Sequence, residues 1–177
     1  MSLKSKLLHI KAFAFDIDGV ATDGGVFCAS DGDLLRTYDA KDGFAIRMAV
    51  MHAYPVAVIT GGSSESIRKR MVTSGVKADD VYLHCRDKRE QFAQFIEKYG
   101  LKPDEVMYFG DDIPDVDLLK MCGCGVCPDD ACIDAQEAAD WVTEAPGGKG
   151  CLREAIEKTL RLQGKWTFDP QLYKAKF

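Results

Sequence analysis

The chain has 177 residues, of which 46% are apolar and 29% charged, and this fits one globular domain rather than a disordered or low-complexity polymer. It carries 23 basic and 28 acidic side chains, and the net charge of −5 argues against a nucleic-acid partner. No apolar run approaches the ~20 residues that cross a bilayer, and residues 1–10 show no export signal. We therefore expect a cytoplasmic protein with no membrane partner.

Seven cysteines, an odd number in a chain long enough to fold without disulfides, favour a reducing compartment. Four of them crowd into one stretch: Cys122, Cys124, Cys127 and Cys132. A zinc or iron-sulfur site is one interpretation. The other is a short buried strand in which cysteine acts as a compact hydrophobic residue. We favour the strand, because no histidine lies nearby.

Short apolar runs alternate with helical patterns along the chain. Strand-like runs that end abruptly in polar residues or glycine cover 10–15, 55–59 and 105–109. Helical periodicity covers about 43–53, 63–74, 88–99, 113–121, 130–138 and 150–162. The alternation predicts an α/β fold, a Rossmann-like three-layer sandwich with a mostly parallel central sheet. In such sheets ligands bind at the carboxyl ends of the strands.

Residues 25–38 break the alternation. Two short strand-like runs, 25–29 and 34–38, flank an Asp-Gly turn and predict a projecting β-hairpin. Because an isolated hairpin is marginal in water, we expect its apolar face to pack on something, such as another subunit. The domain is expected to span 1–163, and the aromatic tail 164–177 is either loose or docked.

Acidic residues follow two of the predicted strands. Asp16 and Asp18 follow the first, and Asp111 and Asp112 follow the third. Carboxylates at this spacing repel each other unless a cation or a shared proton relieves them. Mg²⁺ prefers oxygen ligands and is the natural occupant. The same residue types also form turns and N-caps, and we expect Asp112 and Asp115 to cap the next helix in part.

A hydroxyl and an ammonium group complete the set of polar side chains at the strand ends. Thr60 follows the second strand and precedes a Gly-Ser stretch that opens a helix, where hydroxyl and amide donors can bind phosphate. Lys88 opens another helix, where its charge opposes the dipole, so a nearby anion explains it better than helix stability does. An ordinary N-cap at Thr60 and a solvated Lys88 are the alternatives.

The order of these residues resembles the four motifs of the haloacid dehalogenase superfamily of phosphotransferases. The segments that carry the resemblance are 15–23, 59–61, Lys88 and 110–112. Three further features make the chain similar to the 3-deoxy-D-manno-octulosonate 8-phosphate phosphatase group: the hairpin, residues 41–43 and residues 147–154. That group lacks a cap domain, and the 41 residues between Asp18 and Thr60 are too few for the hairpin, a helix, a strand and a cap in addition.

The resemblance implies a mechanism. Asp16 would attack phosphorus and form an aspartyl-phosphate, while Asp18 would protonate the leaving alcohol and then activate water. Thr60 and Lys88 would hold the phosphoryl oxygens and neutralise their charge.

The resemblance also implies a cofactor and an assembly. Mg²⁺ would be bound by Asp16, the main-chain carbonyl of Asp18 and Asp111, and Asp112 would orient this shell. In the resembling group four subunits assemble through their hairpins, and a neighbour's residues help to close each pocket. The expectation is a cytoplasmic homotetramer with a place in lipopolysaccharide biosynthesis.

Substrate contacts carried over by the resemblance are Asp18, Asp39, Lys41, Asp42, Gly43, Arg47, Gly61, Gly62, Arg70 and Lys88. For Arg70 a solvated helix face is the alternative. One position departs from the group, because Gly62 stands where an arginine is usual. An eight-carbon acidic sugar phosphate is favoured over the 9-phosphate of a nine-carbon, sialic-acid-like sugar, since the Lys-Asp-Gly run at 41–43 is retained.

Two functions of other classes remain open at this point. A phospho-accepting receiver domain also gathers acids, a hydroxyl residue and a lysine at strand ends, but the Asp16-x-Asp18 spacing argues against it. An oligomerisation module with a relict site would neither bind Mg²⁺ nor hydrolyse anything. The interpretation we adopt is a Mg²⁺-dependent phosphomonoesterase that acts on a small acidic sugar phosphate.

Overall fold

The computed structural model describes residues 1–177. Its strands are, in chain order, β1 (Ala12–Phe15), β2 (Phe27–Cys28), β3 (Leu34–Leu35), β4 (Val56–Ile59), β5 (Val81–Tyr82), β6 (Val106–Phe109), β7 (Cys124–Cys127) and β8 (Trp141–Val142). Strands β2 and β3 form an antiparallel hairpin. The other six form a parallel sheet in the order β5-β4-β1-β6-β7-β8, so β1 lies between β4 and β6.

Helices cover both faces of this sheet. They are α1 (Leu3–His9), α2 (Ala40–Met51), α3 (Glu65–Thr73), α4 (Lys88–Tyr99), α5 (Val116–Met121), α6 (Ile133–Ala138), α7 (Cys151–Leu162) and α8 (Pro170–Lys176). Short 3₁₀ turns occupy Ala78–Asp80, Pro103–Glu105 and Ile113–Asp115. Core side chains of α2, α3 and α7 share one face of the sheet, and those of α4, α5 and α6 share the other. None of the helices combines the length and the apolarity that a bilayer crossing requires.

Strand β1 is buried on both faces, which explains its uninterrupted apolar sequence. Phe13 and Phe15 belong to the core on the α2 and α7 side. Ala12 and Ala14 belong to the opposite core, where their small side chains leave room for large ones such as Phe92 of α4. The predicted α/β architecture with a parallel central sheet and no cap domain is confirmed. Between the end of β1 and β4 lie only a short helical turn at Ile17–Ala21, the hairpin and α2.

The cysteine-rich stretch forms β7, the buried strand that we favoured. Cys124 lies in the core on the α2 side, whereas Cys127 lies in the core on the α4 side, so the two thiols point away from each other across the sheet. Burial raises the pKa of Cys124 to about 12 and the pKa of Cys127 to about 11, which keeps both protonated. All seven cysteines are free, and none belongs to a cluster that could hold a metal ion.

The C-terminal tail is docked. The ring of Phe44, on α2, lies 5.9 Å from that of Phe168 and 6.2 Å from that of Tyr173. Gly75 makes this docking possible, because a Cβ there would lie 2.4 Å from an atom of the Phe177 ring. The tail therefore covers the outer surface of α2.

Candidate active site

The carboxyl end of β1 delivers Asp16 to the centre of the sheet edge, where it is 9% exposed. One of its oxygens, Oδ1, accepts a hydrogen bond of 2.7 Å from the Ile17 amide. The other, Oδ2, accepts one of 2.7 Å from Nζ of Lys88, at the start of α4. Asp16 is thus held in one orientation by a backbone donor and a buried cation.

Asp115 supports Lys88 from the opposite side. Its Oδ1 accepts hydrogen bonds of 2.6 Å from Nζ of Lys88 and 2.6 Å from the hydroxyl of Tyr108. Its Oδ2 lies 3.2 Å from the amide of Asp111 and 3.4 Å from that of Asp112. Asp115 is fully buried, so these donors replace the water that its charge has lost. It ties the lysine to the loop that follows β6.

Asp111 enters the same cluster from the end of β6. Its Oδ1 is buried and has no hydrogen-bond partner in the protein. Gly19 allows its approach, since a Cβ at position 19 would lie 1.9 Å from Oδ2 of Asp111. Gly19 also has a φ of +87°, which favours glycine. The Asp16 loop and the Asp111 loop therefore meet where glycine permits it.

Crowding of these carboxylates changes their proton affinity. Burial raises the pKa of Asp16 to about 6, against the opposing effect of Lys88. Burial, followed by the charges of Asp16 and Asp115, raises the pKa of Asp111 to about 7. Burial acts to lower the pKa of Lys88, but the two carboxylates beside it outweigh this and raise it. Lys88 therefore stays protonated at neutral pH. A cation bound beside Asp16 and Asp111 would displace the protons that these two acids hold.

The cluster fits a divalent cation. Oxygen atoms of Asp16, Asp111 and Asp115 lie within 4.8 Å of one another. Asp115 already accepts two hydrogen bonds at each oxygen, whereas Asp16 accepts one at each oxygen and Oδ1 of Asp111 accepts none. Asp16 and Asp111 are therefore the side chains that would bind the ion, and Asp115 would orient them. Carboxylates also outnumber cations by four to two here: Asp16, Asp18, Asp111 and Asp115 against Lys88 and Arg36. A divalent ion would cancel that excess.

Thr60 lies at the carboxyl end of β4, beside β1, and is 1% exposed. Its Oγ1 accepts a hydrogen bond of 3.2 Å from the Gly62 amide, while no acceptor within the protein takes its hydroxyl proton. Gly61 and Gly62 continue from it toward α3. The hydroxyl therefore has a proton to donate to an anion at the sheet edge.

Asp18 is the more exposed acid of the first motif, and an arginine covers it. Arg36, next to β3 of the hairpin, donates from Nε to Oδ1 of Asp18 at 2.6 Å and from Nη2 to Oδ2 at 3.0 Å. The Arg36 side chain is 3% exposed and that of Asp18 is 36% exposed. The hairpin thereby closes one side of the site.

Two predicted substrate residues at the start of α2 have local roles. Asp39 caps the helix by accepting from the amides of Lys41 and Asp42 at 2.7 and 3.0 Å. Asp42 is buried and accepts from the amides of Gly150 and Arg153, which ties α2 to the start of α7. Burial raises the pKa of Asp42 to about 6. Lys41 is exposed.

The two arginines predicted to contact the substrate, Arg47 and Arg70, lie in different surroundings. Arg70 on α3 lies over the ring of Tyr38 and approaches Gly43, where a Cβ would come within 2.7 Å of Nη2. Arg47 instead donates to the hydroxyl of Tyr173 at 2.5 Å and to the Thr73 carbonyl, so the docked tail engages it. Of the two, Arg70 is the one left beside Tyr38, which follows the hairpin.

The structure thus joins Asp16, Lys88 and Asp111 as the motif order suggested, and adds two residues whose roles the sequence did not reveal. Asp115 was expected only as a helix cap, and Arg36 was not singled out. For Asp115 the available signal was a third acid following the Asp111-Asp112 pair. For Arg36 the only signal was a basic residue at the end of the hairpin. Asp112 accepts from the Ile113 amide at 2.8 Å and is exposed.

A family model described as haloacid dehalogenase-like hydrolase matches residues 61–152. The 3-deoxy-D-manno-octulosonate 8-phosphate phosphatase KdsC of Escherichia coli K12 is 32% identical over 161 residues, 91% of this chain and 85% of that protein.

Solved structures agree with this relationship. The Moraxella catarrhalis 3-deoxy-D-manno-octulosonate 8-phosphate phosphatase, solved in complex with magnesium, phosphate and KDO, has a TM-score of 0.87 and 28% identity, covering 91% of each chain. The cobalt-bound Haemophilus influenzae deoxy-D-mannose-octulosonate 8-phosphate phosphatase has a TM-score of 0.87 and 31% identity, covering 97% of this chain and 99% of that one.

Fold, site and comparisons define a hydrolase that gathers acidic side chains and a lysine at the carboxyl edge of a parallel sheet. The chain belongs to the haloacid dehalogenase-like hydrolase family, in the group of the 3-deoxy-D-manno-octulosonate 8-phosphate phosphatases, and is a phosphatase.

Proposed function

We propose that the chain hydrolyses 3-deoxy-D-manno-octulosonate 8-phosphate, with Mg²⁺ as cofactor and a phosphoryl group carried transiently on Asp16. The observation that carries the proposal is the chain of contacts from Asp16 through Lys88 to Asp115, next to the unpaired Oδ1 of Asp111. The E. coli and M. catarrhalis relatives, named for this substrate, support the choice of sugar phosphate.

The reaction uses the residues in two steps. In the first, an oxygen of Asp16 bonds to phosphorus, the bond from phosphorus to the sugar oxygen breaks, and Asp18 donates a proton to that oxygen. In the second, Asp18 takes a proton from water, whose oxygen attacks phosphorus and returns Asp16 to a free carboxylate. Thr60 and Lys88 donate hydrogen bonds to the phosphoryl oxygens in both steps. Mg²⁺, when bound at Asp16, the Asp18 carbonyl and Asp111, supplies charge neutralisation.

We further propose that the protein works as a homotetramer joined through its hairpins. Phe27 is 70% exposed, and Val26 and Leu35 are exposed beside it, which leaves an apolar surface on a two-stranded element that is marginal alone. A neighbour seated there would lie close to Arg36 and to the site. The enzyme would act in the cytoplasm, in lipopolysaccharide biosynthesis.

Phosphate release tests the proposed function. Purified protein with Mg²⁺ should hydrolyse 3-deoxy-D-manno-octulosonate 8-phosphate with a higher kcat/KM than the 9-phosphate of a nine-carbon keto-deoxy sugar acid. Asp16→Asn should abolish turnover while thermal unfolding stays cooperative, because the amide cannot act as the nucleophile. Asp134→Asn, a change of the same kind at an exposed position on α6, should keep the full rate. Turnover by the Asp16→Asn variant, or preference for the nine-carbon substrate, would contradict the proposal.

A further inference from the structure

Arg36 makes a buried ion pair with Asp18 through two hydrogen bonds. Its guanidinium is almost completely buried, and it binds both oxygens of Asp18, while Nη1 donates to the Leu34 carbonyl at 2.8 Å. Paired hydrogen bonds between a guanidinium and a carboxylate are strong and strongly directional. In this state Asp18 has no oxygen free of a cationic donor.

A contact with α3 holds the hairpin in the position in which Arg36 reaches Asp18. Asp33, immediately before β3, accepts a hydrogen bond of 2.5 Å from Ser64, at the N-terminus of α3. Gly62 lies directly beside the guanidinium, since a Cβ there would come within 3.5 Å of Nη2 of Arg36 and 2.8 Å of the Ile67 side chain. Gly62 therefore borders the guanidinium at an ordinary contact distance, and a residue with a side chain there would have to displace the Ile67 side chain.

The proposed reaction conflicts with this arrangement unless Arg36 moves. Asp18 must reach the oxygen that leaves phosphorus, but both of its oxygens are engaged by Arg36. Attacking and leaving oxygens lie roughly in line across phosphorus, so the sugar must lie on the side away from Asp16. Lys88 cannot serve the sugar, since Asp16 and Asp115 hold it. Arg36 is the cation that already contacts the acid expected to meet the leaving oxygen.

We propose that Arg36 selects substrates by their carboxylate: it binds Asp18 in the empty site and transfers to the carboxylate of a phosphorylated sugar acid, which frees Asp18 to reach the leaving oxygen. This inference rests on the proposed function. A substrate without a second anion offers Arg36 no replacement for Asp18, so it must break the pair without compensation. Arg36 is thus a specificity-determining residue, and the hairpin takes part in recognition.

A selectivity ratio tests the inference. The kcat/KM for 3-deoxy-D-manno-octulosonate 8-phosphate is divided by that for p-nitrophenyl phosphate, which has no carboxylate. In Arg36→Gln the ratio should fall by roughly 10- to 100-fold, the effect of losing a hydrogen bond to a charged group, with most of the loss in KM for the sugar acid. Arg161→Gln, which removes an arginine paired with Glu157 on the far helix α7, should leave the ratio unchanged.

Equal losses on both substrates, or an unchanged ratio, would overturn the inference and leave the proposed function intact. If the wild-type protein does not hydrolyse 3-deoxy-D-manno-octulosonate 8-phosphate, the proposed function itself is wrong, whatever its activity on p-nitrophenyl phosphate. The two failures are therefore distinguishable.

A spectroscopic measurement covers the case in which Arg36→Gln does not fold. The Nε–H resonance of Arg36 is assigned by its absence from Arg36→Lys. In the Asp16→Asn protein with Mg²⁺, it should shift when 3-deoxy-D-manno-octulosonate 8-phosphate is added and stay in place with p-nitrophenyl phosphate. An Arg36 resonance that ignores the sugar acid would also overturn the inference.

Discussion

Asp115 accepts two hydrogen bonds at each carboxylate oxygen, and this makes it the support of the cluster rather than a metal ligand. Its partner Lys88 lies 27 residues earlier in the chain, so no local pattern could link the two. The sequence predicted Asp16, Lys88 and Asp111 because each lies just after a predicted strand or at the start of a predicted helix. Asp115 lies at neither kind of position, and its local sequence predicts only a helix cap.

Asp115→Asn should lower kcat by roughly 10- to 100-fold and change KM little. The amide has one acceptor oxygen, so Lys88 loses a charged hydrogen bond and its hold beside Asp16. Steady-state phosphate release measures this. Asp117→Asn is the matched control, since Asp117 is exposed and pairs with Arg89 at the surface, and its kcat should stay within about 3-fold of the wild type. Equal losses in the two variants would refute the assignment.

At the scale of elements, the longer buried strands were predictable and the shorter ones were not. Strands β1, β4 and β6 are buried on both faces and therefore appear as continuous apolar runs. Strands β5 and β8 have two residues each, too few for any period. The hairpin was predicted, but its paired strands are shorter than expected. The docking of α8 depends on contacts with α2 that no local pattern contains.

A substitution at Gly19, in the turn after β1, should change how the loop after β1 packs against the loop after β6. Gly19→Ala should prevent the approach of the Asp16 and Asp111 loops, because the new methyl group would overlap the Asp111 carboxylate. We expect loss of Mg²⁺ binding, measured by titration calorimetry, and loss of turnover. Gly32→Ala at the hairpin tip is the matched control, since Gly32 has the same φ of +87° and open space around it. It bears the same backbone strain, about 1 kcal/mol, and should keep both properties. If Gly32→Ala lost them too, strain alone would explain the effect.

At the scale of the whole molecule, the crowded carboxyl groups of the site make the stability of the folded protein depend on pH. The pKa values of Asp16 and Asp111 are raised to about 6 and about 7, so the cation-free folded protein holds protons that the unfolded chain has lost. An acid with a raised folded pKa contributes stability at low pH that is lost as the pH rises through that value. The cation-free protein should therefore become less stable between about pH 5 and pH 7 through these groups.

Mg²⁺ should reverse this trend. Because the ion competes with protons for Asp16 and Asp111, it should raise the Tm more at about pH 8 than at about pH 5.5. Thermal unfolding with Mg²⁺ or with a chelator measures the difference. Asp111→Asn should show little Mg²⁺ effect at either pH. A Mg²⁺ effect that is larger at the lower pH would contradict the assignment of these carboxylates.

The central place of β1 has a consequence for synthesis on the ribosome. Asp16 is made before Lys88, which lies 72 residues later, and before β6, which pairs with β1 on its other side and ends at Phe109. A nascent chain therefore carries its proposed nucleophile long before it has the partners that hold this carboxylate in the site. Appearance of phosphatase activity during refolding would report that β1 has paired with both β4 and β6, not that any one of these strands has formed.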